Sequence, residues 1–204
     1  NVLRTGTVFR NPLGRVISKY FFLRTYCGDD ARRAGLRGCA ADELDIVSWL
    51  YASPAEMERR RLLYKNPWQV SHEVLAYTGG APPAFEPTEA ALRQAQQTLD
   101  AMDVVGITER MDETVVLFSE AWALPLGAMR SAYTSLLQNP TKRPLNESAL
   151  ALIRAHPGVA REAQLYEHAL HRFERAVRAV PQLEAKLAFL RADGAVTCGL
   201  NRAD

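Results

Sequence analysis

Apolar positions along this chain recur with two periods, and their alternation predicts the architecture. Gly6-Thr7-Val8-Phe9-Arg10 reads as a short buried strand ending on a charged residue. A helix is expected at once: Asn11 is a good N-cap, Pro12 suits the first helical position, and Leu13, Val16, Ile17, Tyr20 and Phe21 share one face. From Thr25 to about Ala41 the sequence reads as loop, and a helical stretch from Ala41 to Tyr51 then brings Leu44, Ile46, Val47 and Leu50. Pro54 to Val70 mixes Arg59, Arg60 and Arg61 with Leu62, Leu63, Tyr64 and Trp68 and supports no single assignment. Two readings stand for it, an amphipathic helix with a solvated arginine face or a basic patch that touches an acidic glycan.

Gly79-Gly80-Ala81-Pro82-Pro83 through Pro87 is the clearest break. Thr88 can cap the next helix, whose apolar stripe is Leu92, Ala95, Leu99 and Met102. Val104-Val105-Gly106-Ile107 reads as a second short buried strand. It leads through Thr108 and Glu109 into a helix with Met111, Val115, Phe118 and Trp122 inward. Residues 131–148 contain Asn139-Pro140-Thr141-Lys142-Arg143-Pro144, a polar basic loop held by two prolines, and a last long helix over about Val159–Val180 repeats Leu165, Ala169, Phe173 and Val177 every four residues. Its other face carries Arg161, Glu167, His171, Arg175 and Arg178. Strand and helix alternate, which predicts an α/β fold with a mostly parallel sheet.

With 204 residues, 48% hydrophobic and 24% charged, the chain is long enough for one sizeable core, and a single domain over 1–204 is the expected organisation. Lys+Arg of 25 against Asp+Glu of 23 leaves a net charge of +2, too balanced for the sequence-independent grip of a nucleic-acid binder. Any anion site is therefore local. Lysine occurs only at Lys19, Lys65, Lys142 and Lys186, so arginine supplies most positive charge, and arginine suits bidentate contacts to phosphate or sulfate. No run approaches the roughly 18 apolar residues of a membrane span. The first residue is Asn1, and the first strand follows almost immediately, as if the chain began inside a domain.

Cys27, Cys39 and Cys198 leave one thiol unpaired if a disulfide forms. Cys27 and Cys39 flank a Gly- and Arg-rich stretch whose closure would suit an oxidising lumen, and three free thiols are the alternative. Asn146-Glu147-Ser148 is an N-glycosylation sequon, whereas proline excludes Asn139-Pro140-Thr141.

The most informative chemistry sits between Phe9 and Ser18. Open α/β sheets bind ligands where a strand's C-terminal end turns into a helix. Arg10 emerges there, the free N–H groups of the first helical turn would favour an anion, and Ser18 adds a hydroxyl from the second turn. The structural alternative has Arg10 in an ion pair and Ser18 solvated. Among the histidines, His168 and His171 are three apart on one helix but lack a third ligand nearby in sequence, so no metal is expected. His72 and His156 are isolated candidates for acid–base work.

The segment Arg10-Asn11-Pro12-Leu13-Gly14-Arg15-Val16-Ile17-Ser18, followed by Tyr20-Phe21-Phe22-Leu23-Arg24, resembles the 3'-phosphate-binding segment of sulfotransferases that use 3'-phosphoadenosine 5'-phosphosulfate. It is most similar to the heparan sulfate and uronyl 2-O-sulfotransferase group of Golgi carbohydrate sulfotransferases. Three later stretches resemble that group in order: Val105 to Glu109 with Asp112 and Glu113, Asn139 to Pro144, and Glu162 to Phe173. The resemblance implies a P-loop-like domain, N-terminally truncated and helix-rich in this chain. Arg10 and Ser18 would hold the cofactor's 3'-phosphate, and the loop at Lys142 and Arg143 would close over the nucleotide.

The implied reaction is sulfuryl transfer to a glycan hydroxyl, the acceptor being an acidic polysaccharide at the nearest analogy. It needs positive groups at the leaving nucleotide and a base at the hydroxyl. In the resembled family the 5'-phosphosulfate loop and the base lie upstream of the strand that begins this chain. No catalytic residue is therefore assigned, and the 204 residues alone are expected to be inactive. A Golgi-luminal location with an upstream membrane anchor is implied as well. A noncatalytic glycan-binding domain of the same architecture is the competing reading. A P-loop kinase relative is weaker, since no G-x-x-x-x-G-K-[ST] occurs.

Overall fold

A computed structural model describes residues 4–63, 88–134 and 144–192. The chain divides into two compact units, one made of Asn1–Arg10, Gln97–Asn139 and Tyr166–Asp204 and the other of Asn11–Gln96 and Pro140–Leu165. The first holds a small parallel sheet, and the second is mainly helical.

In the sheet unit, β1 (Gly6–Phe9) pairs in parallel with β4 (Val104–Ile107), in the register Gly6↔Val104 through Phe9↔Ile107. Parallel neighbours need a crossover connection, here nearly the whole first half of the chain. All four residues of β4 are buried, as expected for an uninterrupted apolar strand. A 3-10 turn over Thr108–Arg110 leads into α6 (Met111–Trp122), which packs directly on β4. Gly106 makes that approach possible, because a Cβ there would lie 2.3 Å from Thr114 Cγ2. Thr114 is itself buried, and its Oγ1 accepts from Ile107 N at 2.8 Å and donates to Ile107 O at 2.9 Å. On the other side of α6, Val115 and Val116 join Leu187 and Leu190 of α10 (Leu183–Arg191) in one apolar cluster. The helix α7 (Leu126–Thr134) packs on both α6 and α10.

In the helical unit, α1 (Pro12–Arg33) is 22 residues long. The loop expected from Thr25 to Ala41 is thus helix as far as Arg33. The reason lies in side chains that the apolar pattern under-weighted. Cys27 and Ala31 are fully buried and extend the face of Val16, Tyr20 and Leu23, spaced three or four apart. The helix stops where Gly35 takes the left-handed conformation at φ +66°.

The single helix expected over Ala41–Tyr51 is two, α2 (Ala40–Glu43) and α3 (Ile46–Tyr51), because Leu44 is extended and Asp45 starts a new helix. Asp45 Oδ1 accepts from Val47 N at 2.9 Å and Ser48 N at 3.0 Å, and its Oδ2 accepts from Ser48 Oγ at 2.6 Å. The unassigned stretch contains α4 (Pro54–Arg60), capped by Ser53 and ended by Arg61 at φ 56°. A short β3 (Leu62–Leu63) then pairs in parallel with β2 (Gly38–Cys39). The core gathers Val16, Tyr20, Leu23, Trp49, Met57, Leu62, Ile153 and Val159. A disulfide joins Cys27 to Cys39, with their Cα atoms 5.7 Å apart. Cys198 lies outside the described residues.

Of three further helices, the first and the last match expectation in place, and the middle one was not expected. Thr88 Oγ1 accepts from Ala91 N at 3.1 Å and caps α5 (Glu89–Ala101). Asn146 Oδ1 accepts from Ala149 N at 2.8 Å and caps α8 (Glu147–Ala155). The helix α9 (Pro157–Arg178) buries Leu165, Ala169, Phe173 and Val177 as its four-residue repeat requires.

Asp45 supplies a prediction about acid stability. Its hydrogen bonds with Ser48, side chain first and then backbone, hold its carboxyl below the ordinary aspartate value. A carboxyl depressed by folding contributes stability that is complete above its unfolded value and is lost as pH falls through the folded one. Asp45→Ala should therefore cost about 1 kcal/mol at pH 7. The difference from the parent chain, measured by urea denaturation, should shrink as pH drops below about 4. A difference that stays constant between pH 7 and pH 3 contradicts the assignment.

Candidate functional site

The chain passes from β1 into α1 through two residues, Arg10 and Asn11. Phe9 is buried at the end of the strand and anchors the turn, so Arg10 starts from a fixed point. Arg10 is half-buried, and no hydrogen bond or ion pair engages it among the described residues. The alternative in which an ion pair occupies it does not hold there. Ser18 lies in the second turn of α1 and is also half-buried. Arg10 belongs to the sheet unit and Ser18 to the helical unit.

The first turn of α1 differs from the expectation of free amides. Pro12 has no N–H, and Leu13 N and Gly14 N both donate to Asn11 Oδ1, at 3.0 and 3.4 Å. Arg15 N donates to Asn11 O at 2.9 Å. The donors that a helix N-terminus offers an anion are thus satisfied by the cap residue itself. The helix dipole still favours negative charge there, but direct contacts to an anion fall to side chains.

Arg15, the second arginine of the same segment, has a different partner. Its Nη2 lies 3.3 Å from Glu162 Oε2 of α9, with the side chains only 15% and 2% exposed. Charges this deep persist only when paired. Sequence reasoning gave neither residue a role, although a signal was present: Glu162 sits three positions before Leu165, in line with the apolar stripe of α9. A carboxylate in such a stripe implies a buried cation opposite.

Lys142 and Arg143 lie outside the described residues, as does His72. In the basic stretch, Arg59, Arg60 and Arg61 are exposed; Arg60 pairs with Glu56 at 2.7 Å and Arg61 donates to Gly35 O at 3.3 Å. Exposure of these arginines fits both readings of the stretch, and residues 64–70 lie outside the described residues. His168 Nε2 and Asp100 Oδ1 are 2.9 Å apart, which ties α9 to α5, while His171 is exposed. His156 is buried, accepts from Gly158 N through Nδ1 at 3.2 Å and meets the Tyr51 ring edge-on. Among the described residues no cluster of three His, Cys, Asp or Glu side chains is placed to hold a metal. Among them, too, no helix is long and apolar enough to cross a membrane.

The C-terminal end of β4 carries more polar chemistry. Tyr166 Oη donates to Glu109 Oε2 at 3.1 Å, and burial, reinforced by that carboxylate, pushes the phenol well above its ordinary value. Arg110 binds Glu113 at 2.6 Å and stacks on Phe173 with 4.9 Å to the ring centre. At the opposite end of the strand, an apolar cavity of about 350 Å³ is lined by Val104, Val105, Leu117, Ala176 and Val180, with Arg172 at its wall. Arg172 spends its donors on Leu99 O and Met102 O, where it caps the end of α5. The cavity and the Arg10 turn are therefore separate features.

These features define a helix-rich α/β protein with a small parallel sheet, whose first strand delivers an arginine to the start of a long helix. Two curated proteins are similar to it. The heparin sulfate O-sulfotransferase of Drosophila melanogaster is 27% identical over 172 residues, covering 81% of this chain and 46% of its own length. The heparan sulfate 2-O-sulfotransferase 1 of Gallus gallus is 27% identical over 175 residues, covering 82% and 46%. The chain spans about half the length of these curated relatives. No protein-family model matches the chain, and no solved structure does. The similarity runs through most of the chain and supports a carbohydrate sulfotransferase family.

Proposed function

We propose that these 204 residues are the C-terminal part of a P-loop-like sulfotransferase domain. It would transfer a sulfuryl group from 3'-phosphoadenosine 5'-phosphosulfate to a glycan hydroxyl, in a heparan-like acidic polysaccharide by the nearest analogy. On this reading the two units are parts of one domain. Arg10 and Ser18, eight positions apart across the strand-to-helix turn, bind the 3'-phosphate, and Lys142 and Arg143 close over the nucleotide. The loop for the 5'-phosphosulfate and the general base belong to sequence outside these residues, so the chain by itself recognises nucleotide without turning it over. No metal takes part. A Golgi-luminal protein anchored through a segment outside this chain accords with the Cys27–Cys39 disulfide.

The observation that carries the proposal is Arg10, half-buried at the end of a parallel strand with no described partner. Keeping a guanidinium desolvated without a counter-ion costs stability, and a bound phosphate offsets that cost through charge-assisted hydrogen bonds. Engagement of the Leu13 and Gly14 amides by Asn11 makes the arginine more important, since backbone donors do not share the load. Calorimetry with adenosine 3',5'-bisphosphate and the full-length gene product tests this directly. Binding is expected, and Arg10→Ala should weaken it by about 1.5–3 kcal/mol. Equal affinity for parent and variant would remove Arg10 from the site, and no binding by the parent would favour a noncatalytic glycan-binding protein.

A further inference from the structure

The start of α8 holds the single acceptor sequon of the 204 residues, Asn146-Glu147-Ser148. Leu145 packs against the core of the helical unit, and the three residues that follow it are all exposed. Asn146 is the N-cap of the helix, with extended backbone at φ −73° and ψ 156°. Its Oδ1 accepts from Ala149 N at 2.8 Å, and its backbone O accepts from Leu150 N at 3.1 Å.

The cap fixes which way the side-chain amide faces. Ala149 N is a donor, so the oxygen of the amide must be the atom turned toward it, and the nitrogen is the atom turned away. Among the described residues nothing engages Asn146 Nδ2. A substituent on Nδ2 therefore displaces no hydrogen bond, and exposure of the whole tripeptide leaves it room.

We propose that Asn146 carries an N-linked glycan at the start of α8. The bond formed joins Nδ2 to C1 of the first N-acetylhexosamine of an oligosaccharide carried on a polyprenyl diphosphate, the donor of the secretory pathway. The C1–O bond to that diphosphate breaks, the diphosphate leaves with the bonding electrons, and Nδ2 gives up one of its two protons. The product keeps Oδ1 with its lone pairs, so the hydrogen bond from Ala149 N survives. The glycan is bulky and hydrated, and this position lets it extend into solvent while Leu145 stays packed. The proposal rests on the luminal reading above, because the donor oligosaccharide is presented in the lumen. The Cys27–Cys39 disulfide suits the same compartment and is an independent observation, a crosslink inside the helical unit rather than a surface tripeptide.

Mass spectrometry on the full-length gene product, made in a eukaryotic secretory pathway, tests this. Peptide-N-glycosidase hydrolyses the linkage and leaves aspartate, so digestion in heavy-oxygen water marks every asparagine that held a glycan. Most copies of Asn146 should be converted and labelled. Ser148→Ala removes the sequon and leaves the Oδ1 cap, so it should fold like the parent and lose the label at Asn146 completely. Asn146→Asp is a second variant that keeps a good cap, and it should lose the mass of one glycan. An unlabelled Asn146 in the parent, or a label that survives Ser148→Ala, overturns the proposal. When the parent is bare, alkylation of the same sample without reductant separates the two readings. Bridged Cys27 and Cys39 leave the luminal location standing and sink the glycan alone, whereas free thiols remove both. Nucleotide binding plays no part in the readout, so neither result touches the assignment of Arg10.

Discussion

Replacing Glu162 with alanine is expected to destabilise the protein by about 3–5 kcal/mol, the cost of removing one partner from a buried ion pair. The size follows from burial: the carboxylate is 2% exposed and the Arg15 side chain facing it 15%. At the surface the same pair would contribute less than about 1 kcal/mol. Without the carboxylate, a guanidinium already out of water loses its counter-charge and cannot shed its proton to compensate. Most domains have only about 5–15 kcal/mol in total, so the loss should show as a large drop in the urea midpoint.

A double variant separates charge from packing. Arg15→Met with Glu162→Leu removes both charges and keeps apolar volume, so it should recover most of the stability lost by Glu162→Ala. If the single variant shifts the midpoint by less than about 1 kcal/mol, the pair is not buried in solution as described. The segment holding Arg15 also holds Arg10, so stability of α1 and the proposed phosphate contact share one stretch of chain. Binding measured on Glu162 variants must therefore be read with their stability known.

Reduction of the Cys27–Cys39 disulfide should cost about 3 kcal/mol, the loop-closure entropy of a bridge spanning 12 positions. Both half-cystines are buried at 1% exposure, between the later turns of α1 and the start of β2. The bridge closes the turn at Gly35 and the first strand of the β2–β3 pair. The unlinked chain must order that segment unaided. A Cys27→Ala, Cys39→Ala double variant, compared with the parent in urea with and without a thiol reductant, measures the effect. The parent should lose its advantage when reduced, and the variant should not respond. A parent indifferent to reductant would mean that the two thiols are free.

Much of the local structure was legible because local rules dominate it. Asn11 before Pro12, Thr88 before Glu89, and the Leu165 to Val177 repeat each place a helix by side-chain and backbone chemistry within a few residues. The strands at Gly6–Phe9 and Val104–Ile107 were legible as short apolar runs beside turn residues. Where the reading failed, it failed on residues of mixed character. Cys27 and Ala31 carry weak apolar signals, so α1 was ended nine residues too soon, at Arg24 rather than Arg33, and Asp45 was passed over as an N-cap in the middle of an apparent helix.

The candidate site divides along the same line. Arg10, Ser18, Lys142 and Arg143 are proposed from spacing and family resemblance, and a small anion needs only a few donors close together in the chain. Which donors are engaged was not legible, since Leu13 N and Gly14 N are free or taken according to one torsion of Asn11. The partnership of Arg15 with Glu162 joins residues 147 positions apart, and no local pattern encodes a pairing that distant.

By itself, then, the sequence determined the alternation of strand and helix, the arginine at the strand end and the resemblance to carbohydrate sulfotransferases, because caps, periodicity and residue order are properties of neighbours in the chain. Only the tertiary structure decided which arginine of the segment is buried in an ion pair, which two cysteines join, and that the Thr114 hydroxyl caps Ile107 at the end of β4. Those are settled by desolvation and backbone hydrogen-bond accounting, and both depend on what lies nearby in space.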